Sequence, residues 1–172
     1  MASLMEELID TLEKETAQYE QLLALTKRKT PIIVSGDISE LVKITDEEQI
    51  IVSRISKLDN KRETVTKDIA DVINKDVKTL KLTTLIELLA NQPKERKRLS
   101  DVHDKLSDIV HNIKLINDNN AELIKHSLEM VNFDLNMVQA MRQAPETANY
   151  SRGAMNTGAM LGGSVGGFDA KQ

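Results

Sequence analysis

The sequence has no cysteine and no tryptophan, only three prolines, and 2% aromatic residues. Without cysteine there is neither a disulfide framework nor a thiolate metal site, and the composition fits a reducing cytoplasm. With so few rings, a core built on large aromatics is excluded. Burial must come from Leu, Ile, Val and Met, which points to helices zipped side by side. Glycine is almost absent from the body of the chain: six of the seven fall in residues 149–172, and Gly36 stands alone outside them. No apolar run approaches the ~20 residues that span a bilayer, so membrane insertion is not expected. The first residues, MASLMEELID, have no basic n-region and no apolar h-region, so they do not read as a signal peptide. No repeat with a period of about 20–50 residues is present, which excludes a solenoid. The net charge of −4 argues against nucleic acid as the main partner. The two basic clusters, KRK at 27–29 and KERKR at 94–98, have no interleaved aromatics.

What is present is helical periodicity. Ser3 and Glu6 have the S-x-x-E spacing of a capping box. Met5, Leu8, Leu12, Tyr19 and Leu22 then recur at three- and four-residue steps, as one helix face does. Thr30-Pro31 predicts a break or kink, because proline removes a donor and disfavours helix in the residue before it. Ile32, Ile33 and Val34 read as one further apolar turn. Gly36 reads as a helix C-terminus needing positive φ, and Asp37 with Glu40 as the cap of the next helix. That helix carries Leu41, Ile44, Ile51, Ile55, Leu58, Val65, Ile69 and Val72 at roughly heptad spacing, with Glu48 and Arg62 at seam positions. Residues 76–93 form a connector with one apolar stretch, LTTLIELLA. Pro93 suits the first turn of a last helix, whose seam runs Leu99, Val102, Leu106, Ile109, Ile113, Ile116, Leu123, Leu128, Val131, Leu135 and Val138. Pro145 ends it.

The expected fold is all-α: an elongated, coiled-coil-like antiparallel three-helix bundle over residues 1–145, with a flexible Gly-rich tail over 146–172. Its helices are placed at about 4–35, 38–75 and 94–141, with a short connector helix at about 83–91. One charge pattern fits the pairing. Arg96, Lys97 and Arg98 oppose the dipole at the start of the last helix, and Asp68, Asp71 and Asp76 oppose it at the end of the middle one. A hairpin brings the two sets together; a solvated charged face is the other reading.

No catalytic constellation emerges. His103, His111 and His126 all lie on the last helix. Asp108-x-x-His111 has ligand spacing, but a di-metal bundle needs paired Glu-x-x-His motifs, and the sequence has none. Gly162, Gly163, Gly166 and Gly167 lack the flanking strand and helix of a dinucleotide loop. The chain is therefore read as non-enzymatic, with no cofactor and no metal.

The last helix carries more apolar residues than a bundle seam needs. Met130, Phe133, Met137 and Met141 form a second stripe at steps of three, four and four, roughly 140° from the centre of the seam. Either the connector helix or the tail covers this stripe, or it is an interaction site. Methionine-rich surfaces adapt to partners of varied shape, and five of the seven methionines lie from residue 130 onward. The rival reading is a structural coiled-coil tether or adaptor, whose last helix would be one-faced.

Residues 117–138, NDNNAELIKHSLEMVNFDLNMV, resemble the end of the long C-terminal helix of the FlgN family of flagellar export chaperones. The segment VSGDISELVKITDEEQIIVSRISKLDNKRE resembles that family's middle helix. Tyr150 with the Gly-rich run to GGFDAKQ looks like the tail of members from Gram-positive bacteria. The resemblance covers nearly the whole chain. It implies a cytoplasmic chaperone that binds the C-terminal helical segment of hook-filament junction proteins and delivers them to the flagellar type III export gate. On that reading client contact falls on Ile124, Leu128, Met130, Val131, Phe133, Leu135, Met137 and Met141. Ile124, Leu128, Val131 and Leu135 also qualify as seam residues, and they are available only if the first helix stops short or moves aside. Tyr150 is assigned to gate docking, and the tail to an arm that folds over the client or docks on the gate. Heptad seams also serve dimers, so a homodimer stays open.

Overall fold

The computed structural model describes residues 2–143. The tail over 146–172, with Tyr150, lies outside them, as does Pro145. The described regular structure is helical, without strands: α1 (Ala2–Ser35), α2 (Ile38–Ile73), a 3-10 turn (Val77–Thr79), α3 (Leu82–Leu88) and α4 (Pro93–Gln143). The chain divides into two compact units, Met1–Met130 and Val131–Gln172.

In the first unit α1 and α2 run antiparallel. Lys61 meets Glu7 at one end of the pair, and Lys29 meets Glu48 at the other. Helix α4 runs parallel to α1. Arg98 contacts Glu6, Asp10 and Glu13, Lys105 contacts Glu20, and Asn120 bonds Thr30. The core is aliphatic, in two clusters. One joins Met5, Leu8, Leu12, Ile69, Leu85 and Leu99, so that α3 packs against the start of α4. The other joins Leu25, Ile44, Ile51 and Ile55, with Tyr19 and Ile32 against them.

The turn between α1 and α2 follows the sequence reading. Gly36 takes φ +70°, which an L side chain adopts only at a cost, and its N–H donates to Ile33 O at 3.1 Å. Asp37 caps α2 by accepting from Glu40 N at 3.0 Å. Asn74, at φ 55°, closes α2 two residues before the expected end. Pro93 is the first residue of α4.

Four expectations are corrected. Helix α1 begins at Ala2, so Ser3 lies inside the first turn rather than at a cap, and Glu6 spends its carboxylate on Arg98 at 2.7 Å. Of the break or kink expected at Thr30-Pro31 there is no break: α1 continues to Ser35, the expected end of the helix. Proline there deprives the Lys27 carbonyl of its donor, but the segment is held from outside. Ile33 is buried, Ile32 packs on the second cluster, and Lys29 is paired with Glu48 at 2.7 Å. Arg98 finds its carboxylates on α1, not on Asp68, Asp71 or Asp76, because it projects toward α1; Asp76 instead accepts from Lys78 N in the 3-10 turn. The connector helix ends at Leu88, short of the expected 91, because a turn in which Gln92 N donates to Leu89 O leads directly into Pro93.

Candidate functional site

The seam of α4 is buried only over part of its length. Leu99, Ile109, Ile113 and Asn120 are buried, and Val102, Leu106, Ile116 and Leu123 are half-buried. Every residue from Ile124 to Gln143 is exposed. The cause lies in α1. Thr30 sits against Asn120, and α1 ends at Ser35, about level with residue 125 of α4. The heptad pattern runs on past that level, but in the first unit the covering helix does not. Leu128, expected in the seam, is therefore at the surface, 59% exposed; in the second unit Val131, Leu135 and Val138, also expected in the seam, are 46–54% exposed.

Ile124, Leu128 and Met130 belong to the first unit, and Met130 is 68% exposed. In the second unit, Val131–Gln143 places Val131, Leu135 and Val138 along one side of the helix. Phe133, Met137 and Met141 lie along another, all exposed, with Phe133 at 64%. Helix α3, one of the covers considered for the methionine stripe, is packed against Met5, Ile69 and Leu99 instead. Large apolar side chains exposed in such number are rare on a monomer, and the tail, the other cover considered, lies outside the described residues.

Two polar arrangements interrupt the first unit's interior. Asn120 is buried, accepts from Thr30 Oγ1 at 2.7 Å and donates to Thr26 O at 3.3 Å. It occupies the seam step between Ile116 and Leu123, and that 3-4 spacing was the available signal for it. Between the two apolar clusters Glu15 is buried, with Arg62 Nε 3.3 Å from its carboxylate. The two atoms are not aligned as a hydrogen bond, and Arg62 also pairs with Asp59. Burial pushes the Glu15 carboxyl above its ordinary range; Arg62 opposes the rise and Asp59 adds to it. The Tyr19 phenol is raised too, first by burial and then by Glu15. Arg98 is held charged beyond its ordinary range by its hydrogen bonds to Glu6 and Glu13.

His103 lies 3.0 Å from Asp104 and lines a cleft of about 600 Å³ with Arg62, Thr66 and Lys81. His126 lies near Glu122 and Glu129. Among the described residues no three His, Asp or Glu side chains are grouped to hold a metal ion, and no helix is long and apolar enough to cross a membrane.

An apolar helix end on an otherwise charged bundle is the equipment of a protein-binding module. Residues 1–158 match the FlgN protein family, and the chain belongs to it; this is a family of flagellar export chaperones. The chain is 21% identical over 131 residues to the uncharacterized protein YvyG of Bacillus subtilis strain 168, covering 76% of this chain and 78% of that protein. No solved structure matches.

Proposed function

We propose that this chain is a cytoplasmic chaperone that holds the C-terminal helical segment of hook-filament junction proteins and hands them to the flagellar type III export gate. The observation that carries the reading is the exposure of Ile124, Leu128, Met130, Val131, Phe133, Leu135, Met137 and Met141 on α4. An amphipathic segment of an unassembled subunit has an apolar stripe to bury, and a methionine-rich helix end can cover it reversibly. Family membership supports the export role. In this reading Tyr150 serves gate docking, and the tail either folds over the client or meets the gate.

The test is a calorimetric titration of the full chain with the C-terminal segment of a junction protein from the same bacterium. Saturable 1:1 binding with a negative ΔCp is expected, since apolar surface is removed from water. Met137→Asp should weaken it by about tenfold or more while leaving the helical melt unchanged, because Met137 is exposed in the free protein. Unchanged affinity in that variant would remove the methionine stripe from the site.

A further inference from the structure

The described part of the second unit is a short helix with an unusually wide apolar arc. At about 100° per residue, Phe133, Met137, Met141, Val138, Val131 and Leu135 are spread over roughly 200° of the circumference. Asn132, Asn136 and Gln139 occupy the remainder. A helix facing one neighbour needs a far narrower stripe. Leu135 and Met137 lie on nearly opposite sides, so one partner helix cannot cover both. Asp134 falls at the middle of the arc. Of the two charges inside the arc it is the central one, between the Met137–Met141 side and the Val138–Leu135 side; Arg142 falls between Val131 and Leu135 but in the last turn, where its long side chain can reach past the helix end.

We infer that the occupant of this helix end is a client presenting two helical apolar faces, one on the Leu135 side and one on the Met137 side, with a lysine or arginine between them that pairs with Asp134. This deepens the chaperone reading and rests on it. The argument for the cation is electrostatic. Once both sides are covered Asp134 is removed from water, and a carboxylate buried without a partner is strongly disfavoured. A client without the cation is therefore rejected, and Asp134 acts as a specificity determinant. A second copy of this chain is disfavoured as the occupant, because it brings one such helix and covers one side only.

The test uses the full chain and the same junction-protein segment. Leu135→Asp and Met137→Asp should each weaken binding at least tenfold, since the two sides meet different client helices. Asp134→Lys should weaken it by about a hundredfold, and reversal of one client lysine or arginine to glutamate should restore most of the loss. All three side chains are exposed in the free protein, and thermal melts should confirm that each variant folds. If either Leu135→Asp or Met137→Asp binds like the native chain, the two-faced client is wrong. If both weaken binding but Asp134→Lys does not, or no client charge reversal rescues it, the assignment of Asp134 is overturned while the chaperone reading survives. Failure of the native chain to bind overturns the reading and this inference together. A dimer dissociated by Asp134→Lys in sedimentation would make a second copy the occupant, and would overturn it as well.

Discussion

Glu15 is the side chain least at ease in the bundle. Its carboxylate is buried, its arginine partner is shared with Asp59, and its pKa is raised chiefly by desolvation. A raised folded-state pKa means that the folded protein binds this proton more tightly than the unfolded chain does. Its contribution to stability is therefore best below the unfolded value, near 4.5, and declines as pH rises through the folded value. Glu15→Gln removes the titration and keeps the shape. The variant should gain stability relative to the native chain as pH rises above 4.5, and the difference should stop changing at lower pH. Paired urea melts from pH 4 to pH 8 would show it; a difference independent of pH would mean that Glu15 titrates normally. This layer was partly legible beforehand, because Arg62 and Glu48 stood at seam positions among isoleucines. It could not name Glu15 and Lys29 as their partners, since that pairing depends on the offset between α1 and α2.

At the scale of elements, the joint between α1 and α2 was legible and the fate of Pro31 was not. Gly36 and Asp37 are local signals: one supplies a positive φ and the other a cap, and neither needs a neighbour to be read. Proline's local preference was overridden by contacts that local sequence does not show, namely Ile33 burial and the Lys29–Glu48 pair. Two substitutions should separate these effects. Pro31→Ala restores an intrahelical bond at an exposed position and should stabilise the protein by about 1–3 kcal/mol. Gly36→Ala meets nothing within 4 Å, so its expected cost of about 1 kcal/mol is purely that of positive φ. Denaturant midpoints with unchanged m-values would report both; a neutral Gly36→Ala would show that the turn relaxes.

For the molecule as a whole, the packed and bare stretches of α4 should differ in local stability. A helix without tertiary cover is marginal in water. Amides between Leu99 and Asn120 should exchange only on extensive opening, whereas those beyond Leu123 should exchange faster by on the order of a hundredfold or more. A bound client segment should remove the difference. Uniform protection along α4 in the free chain would mean that something already covers its end. The sequence showed an excess of apolar residues here but not the point where burial stops, because Ile124 to Val138 continues the heptad pattern without interruption. That point is set by the length of α1, so the expected seam ran too far.

The Asn120 clamp also makes the reach of α4 a quantised property. Thr30 Oγ1 and the Thr26 carbonyl meet that amide in one alignment only. Sliding α4 along α1 by one residue would rotate the amide out of the seam and strand all three groups. The next alignments of like facing are one turn or one heptad away, where the position is Ile116 or Ile124, or Ile113 or Ser127, and the complementary amide is missing. Within the first unit the clamp therefore acts as a register pin: α4 pairs with α1 in one frame or loses all three hydrogen-bonding partners.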